Sequence, residues 1–228
     1  MPVDRLLFQP KQTILFEGDS LTHRRRQPAL DQWPWLRLSN NHRSWADISA
    51  ELFFAWRPEL GLTFRNGAVG GSTCRDLADR LESVARPLQP DWIIATLGAN
   101  DASRNIPIPE FRDTLRRYRE EVTAMGGRVV FLLLGQALPE ASASLREHYG
   151  RRHPYHEVLR ELEAEGAGLD TLDIGEAFYE KANILGQQSE YHRFYADGTH
   201  FTHLANLVIA GEFVRACGIF EHGDRAEG

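Results

Sequence analysis

Hydrophobic positions fall in short blocks rather than in strict alternation with polar ones. Thr13-Ile14-Leu15-Phe16, Leu62-Thr63-Phe64, Trp92 through Leu97, Val129 through Leu134 and Leu169-Asp170-Thr171-Leu172 are strand-sized, and most are apolar at consecutive positions. A strand wetted on one face alternates, whereas one covered on both faces does not, so these blocks predict five parallel strands beneath helices. Between them, about 45–53, 73–86, 108–125, 141–165 and 201–217 carry apolar residues at three- and four-residue steps, the spacing of one helix face. Pro107 or Pro109 suits a helix start, and Gly126-Gly127 after Met125 suits a stop. Strand and helix in turn predict a three-layer α/β/α sandwich around a mainly parallel, five-stranded sheet. No repeat, low-complexity tract or linker-like shift divides the 228 residues, so a single domain over 1–228 is expected, long enough to bury its own core.

In such folds ligands bind beyond the carboxyl ends of the strands, and four polar clusters fall there. The first predicted strand runs into Glu17-Gly18-Asp19-Ser20-Leu21-Thr22, the second into Asn66-Gly67-Ala68-Val69-Gly70-Gly71-Ser72, and the third into Gly98-Ala99-Asn100-Asp101. Asp197-Gly198-Thr199-His200 precedes the last predicted helix. A serine becomes a nucleophile when a base takes its proton and a third group orients that base. Asp197 and His200, three residues apart, can meet across one turn, leaving the second imidazole nitrogen for Ser20. A glycine turn can aim a backbone N–H at an oxyanion, and Asn100 offers a side-chain amide. Taken singly, Gly-Asp-Ser is a common tripeptide, Asp-Gly-Thr-His an ordinary turn, and Gly-Ala-Asn-Asp a helix cap. Their joint order at successive strand ends points to acyl transfer.

These blocks resemble the SGNH hydrolases, also called the GDSL esterase/lipase family, over nearly the whole chain. The resemblance implies a flavodoxin-like sheet and places the nucleophile at Ser20 and the rest of the triad at Asp197 and His200. It also implies an oxyanion hole of the Ser20 N–H, the Gly71 N–H (Gly70 being the close competitor) and Asn100. Phe201 departs from the family pattern, in which proline or leucine commonly follows the histidine, and this bears on how the last helix is entered. Asp19 and Asp101 are expected to cap helices or hold loops. Aromatic residues flank the chemistry, Trp33 and Trp35 after Ser20 and Tyr191 and Tyr195 before Asp197. They either line a substrate rim or pack their loops against the body.

The layout further resembles the intracellular carbohydrate acetylesterase branch, including acetyl-xylooligosaccharide esterases, through its early Gly-Asp-Ser and compact length. That resemblance implies hydrolysis of short, above all acetyl, esters of carbohydrates, with a homo-oligomer as a further expectation. The alternatives are a lysophospholipase- or lipase-type relative acting on longer acyl chains and a non-catalytic binding module on the same fold. Arg24-Arg25-Arg26 keeps the first alternative open, although such a run more often marks a solvated loop.

Composition narrows the partners. With 26 Lys and Arg against 32 Asp and Glu, the net charge of −6 argues against nucleic acid. No apolar run approaches the roughly 20 residues that span a bilayer, so no membrane insertion is expected. The N-terminus lacks a signal-like apolar stretch, and the two cysteines, Cys74 and Cys217, form no pair motif, which together suggest the cytoplasm. No cofactor is expected. The histidines at 148, 153 and 156 stand among Arg146, Arg151 and Arg152, whose charge disfavours a metal, and H-E-x-x-H is absent. Gly67-x-x-Gly70-Gly71 matches neither phosphate-binding glycine pattern.

Overall fold

The computed structural model describes residues 8–23, 43–134, 143–166, 168–175 and 200–219. Strands β1 (Thr13–Gly18), β2 (Thr63–Asn66), β3 (Trp92–Thr96), β4 (Arg128–Leu133) and β5 (Leu169–Asp173) form one wholly parallel sheet in the order β2-β1-β3-β4-β5. This is the flavodoxin-like order, as expected. The register pairs Ile14 with Phe64 on one side and with Trp92 on the other, which makes β1 an interior strand.

Burial on both faces explains the unbroken apolar runs. Ile14 and Phe16 of β1, Ile94 of β3, and Val130 and Leu132 of β4 enter one core, and their neighbours Leu15, Ile93, Val129 and Phe131 enter the other. The first core lies under α1 (Trp45–Trp56) and α7 (His203–Ala216). The second lies under α2 (Cys74–Arg80), α5 (Ile108–Ala124) and α6 (Ala143–Glu165). No helix among the described residues is long and apolar enough to cross a membrane.

Local signals set several boundaries. Ser44 caps α1, accepting from the Asp47 N–H, while Asp47 reaches back to the Ser44 N–H. The proline signals converge on α5, where Pro107 is the cap and Pro109 lies in the first turn. Two stretches depart from the predicted elements. The helix expected over 73–86 is broken into α2, a π turn over Leu81–Ala85 and the short α3 (Arg86–Leu88). Pro87 has no N–H for the carbonyl four residues back and its ring crowds that carbonyl, so the helix widens in the preceding turn and Arg86 N–H bonds Leu81 O. The Gly98-Ala99-Asn100-Asp101 cluster, weighed above as a helix cap, does lead a helix, the short α4 (Ala99–Ser103), which the apolar spacing does not predict.

Aromatic packing fixes α7 to the sheet. The Phe213 ring lies 5.5 Å from Trp45 and 6.1 Å from Phe16, both edge-on, and 6.3 Å from Phe8. All four side chains are buried in the first core. Phe213→Ala is expected to lower stability by about 3–5 kcal/mol, the scale for emptying a buried aromatic site, read from urea denaturation midpoints.

Candidate active site

The chain leaves β1 for β2 on one flank and returns to β3 on the other, so the carboxyl ends of β1 and β3 lie side by side where strand order reverses. At the end of β1, Gly18 has φ +118°, and a Cβ there would stand 2.3 Å from the Thr96 carbonyl oxygen of β3. Only glycine passes that point. The next residues close one helical turn, the Asp19 carbonyl accepting from Thr22 N–H (3.2 Å) and His23 N–H (2.8 Å). Ser20 stands on this turn at the sheet edge.

His200 reaches the same point from the other end of the chain, its Nε2 lying 3.0 Å from Ser20 Oγ. The departure at Phe201 is accommodated simply. The ring is buried in the first core, and Thr202 caps α7, its hydroxyl accepting from Ala205 N–H at 3.3 Å. Ser20, His23, Gly70, Gly71, Asn100 and His200 line a cleft of about 570 Å³, within the usual size range of small-molecule sites. Gly70 and Gly71 of the second block therefore share the cleft with Ser20, and Gly71 takes φ +84°. Asn100 Nδ2 donates to Asp19 Oδ2 (3.2 Å) and to the Ser72 carbonyl (3.1 Å). Asp197, Trp33, Trp35, Tyr191, Tyr195 and Arg24-Arg25-Arg26 lie outside the described residues.

Beneath the cleft, three carboxyls are buried, each with a structural task. Asp19 Oδ1 accepts from Leu21 N–H (2.9 Å) and Thr96 Oγ1 (3.3 Å). Burial pushes its pKa up to about 6 against those hydrogen bonds and the nearby Arg152 charge. Asp101 caps two helix starts, accepting from Cys74 N–H (2.8 Å) and Gly98 N–H (3.1 Å), and its carboxyl too is raised by burial. Glu17 is raised by burial and held by Arg80, whose Nη2 donates to Glu17 Oε2 at 2.8 Å while Nη1 donates to Ser72 Oγ at 2.9 Å. Arg80 thus ties the end of β1 to the loop after β2.

Two contributors to the site, Arg80 and His23, were not singled out from sequence. His23 had a signal, since three residues after Ser20 on a helical turn is the same face. Arg80 had none, because its ion-pair partner Glu17 is remote in the chain. Among the described residues no group of three or more His, Cys, Asp and Glu gathers to hold a metal. His156 is pushed down to about 4, first by burial and then by Arg152 and Arg160.

Residues 16–206 match the model of the GDSL-like Lipase/Acylhydrolase family. The chain is 29% identical over 220 residues to an acetylxylan esterase of Geobacillus stearothermophilus, covering 90% of this chain and 93% of that protein. It is 28% identical over 141 residues to the thioesterase 1/protease 1/lysophospholipase L1 of Escherichia coli (strain K12), covering 62% of this chain and only 55% of that relative. Among solved structures, the acetylxylan esterase Axe2 from Geobacillus stearothermophilus superposes with a TM-score of 0.72 at 20% identity, covering 92% of this chain and 95% of that one. LAE5, an alpha/beta hydrolase enzyme from the metagenome of Lake Arreo, Spain, gives 0.73 at 21%, covering 93% and 97%. At such identities the superpositions speak for the fold, and the family match over most of the length speaks for kinship: the chain belongs to the GDSL-like lipase/acylhydrolase family of SGNH-type ester hydrolases.

Proposed function

We propose that this protein is a serine esterase that removes short acyl groups, above all acetyl, from carbohydrates. The observation that carries the reading is the 3.0 Å approach of His200 Nε2 to Ser20 Oγ at the border of an open cleft. In this mechanism Ser20 Oγ attacks the ester carbonyl while His200 takes its proton, and Asp197 orients the imidazole. The oxyanion is held by the N–H groups of Ser20 and Gly71 and by Asn100 Nδ2. Both hydrogens of that amide are engaged within the protein, at 3.1 and 3.2 Å. A developing oxyanion draws one of them away, because a charged acceptor makes the stronger bond. His200 then protonates the leaving alcohol, and water repeats the sequence on the acyl-enzyme.

The acetyl and carbohydrate preference is supported by the nearly full-length match to an acetylxylan esterase. The shorter match to a thioesterase and lysophospholipase makes longer acyl chains the competing outcome.

Hydrolysis of p-nitrophenyl acetate, butyrate and octanoate tests the reading. The acetate is expected to turn over fastest, and Ser20→Ala to abolish turnover in a folded protein. Best turnover of the octanoate moves the protein to the longer-chain branch, and wild-type rates in Ser20→Ala overturn the serine mechanism. Asn100→Ala is expected to lower kcat by about 10²–10³, the scale for one oxyanion donor, measured on the acetate. Asp19 adds a pH dependence of stability. Its native pKa of about 6 lies above the ordinary 3.8, so between those values the native state keeps a proton that the unfolded chain has released. This group's contribution is therefore fully present at the acid end of that window and is lost as pH rises through about 6. Urea midpoints across the window are expected to show that decline in wild type and a flatter profile in Asp19→Asn.

A further inference from the structure

His23 lines the cleft beside Ser20, yet the triad and the oxyanion hole leave it without a task. The turn after β1 puts the two side chains three residues apart on one face. The ring is held by a hydrogen bond between Nδ1 and the Ala68 carbonyl, 2.6 Å long. A carbonyl only accepts, so Nδ1 carries the hydrogen, and in the neutral ring Nε2 is left as an acceptor. The two nitrogens leave the ring on different edges. With Nδ1 bonded to the loop after β2, Nε2 is the acceptor left over on a ring that lines the cleft, and it has no partner among the described residues. The loop that holds the ring is itself braced, since Asn66 Nδ2 donates to the Thr22 carbonyl (3.1 Å) and Asn66 Oδ1 accepts from Ala68 N–H (3.1 Å). The ring is thus held in place at the cleft, with a single acceptor left for a ligand.

We infer that His23 is a specificity-determining residue whose Nε2 accepts a hydrogen bond from a free hydroxyl on the alcohol part of the ester. The inference rests on the esterase reading above and deepens it. A polyol monoester supplies such a donor close to the scissile bond. A fully acylated polyol supplies none. Selectivity of this kind follows from leaving a desolvated polar group unpaired when the wrong substrate is bound.

The test compares glycerol monoacetate with glycerol triacetate, which share an alcohol skeleton and differ in free hydroxyls. The readout is the ratio of their kcat/KM values in wild type, His23→Asn and His23→Phe. Asparagine keeps a donor near the Nδ1 position and removes Nε2, and phenylalanine keeps the ring volume without either nitrogen. In whichever variant folds, by circular dichroism and thermal melting, the monoacetate-to-triacetate ratio is expected to fall about tenfold, the scale of one lost hydrogen bond. A residue that only braced the loop would slow both esters by a common factor, so a ratio within about twofold of wild type in a folded variant overturns the inference. If wild type cleaves neither glycerol ester nor p-nitrophenyl acetate, the esterase reading itself fails and takes this inference with it.

Discussion

The contact on which the site turns is the close passage of Gly18 beside the end of β3. A side chain there would lie 2.3 Å from the Thr96 carbonyl oxygen, so the chain can leave β1 at this height only by having none. Because the passage is so close, the turn after β1 begins at the sheet edge itself. Ser20 then needs no long loop to stand near Gly70 and Gly71 after β2 and Asn100 after β3. The positive φ makes the same demand independently, since the left-handed region penalises a Cβ even in open space.

Around that passage, buried carboxyls hold backbone N–H groups and neighbouring side chains in place. Asp101 takes N–H groups at the starts of α2 and α4 and so sets the height of Asn100 relative to the loop after β2. Asp19 holds its own turn through Leu21 and the Asn100 amide through its other oxygen. Glu17 and Arg80 form a nearly dry ion pair directly below, and the second arm of the guanidinium reaches Ser72. Burying an ion pair gives little net stability, because desolvation offsets the attraction. Its evident product here is geometry, fixing the strand end and the glycine loop against each other.

Much of the fold was legible because burial on both faces leaves a direct mark on sequence. In Val129-Val130-Phe131-Leu132, successive side chains enter opposite cores, and a strand with one wetted face would interrupt such a run with polar residues. The break of the 73–86 segment was less legible, since its apolar spacing is helical and the decision rests with the backbone of Pro87. At the candidate site, Ser20, Gly70, Gly71, Asn100 and His200 stood out because their residue types and strand-end positions are those that acyl transfer would use. Their convergence on one cleft is what the fold adds. Arg80 was silent, since an arginine in a helix reads as solvated until the fold brings Glu17 to it across 63 positions. His23 lay in plain view but competes with an ordinary polar turn residue. Its place at the cleft, with one ring nitrogen tied to Ala68, became visible only in the fold.

The two cores have a consequence for how the cleft comes and goes. His200 stands at the entry to α7, which is anchored in the core on one face, while Asn100 belongs to α4, whose Ala102 packs into the core on the other. Ser20, at the edge of the sheet between them, joins walls drawn from both layers. The cleft is therefore not a local feature that half of the molecule can build, and undocking of either layer removes a wall while much of the sheet's hydrogen bonding persists. Sub-global opening, too slight to register as unfolding, is enough to erase the site, and its competence follows the less stable of the two faces.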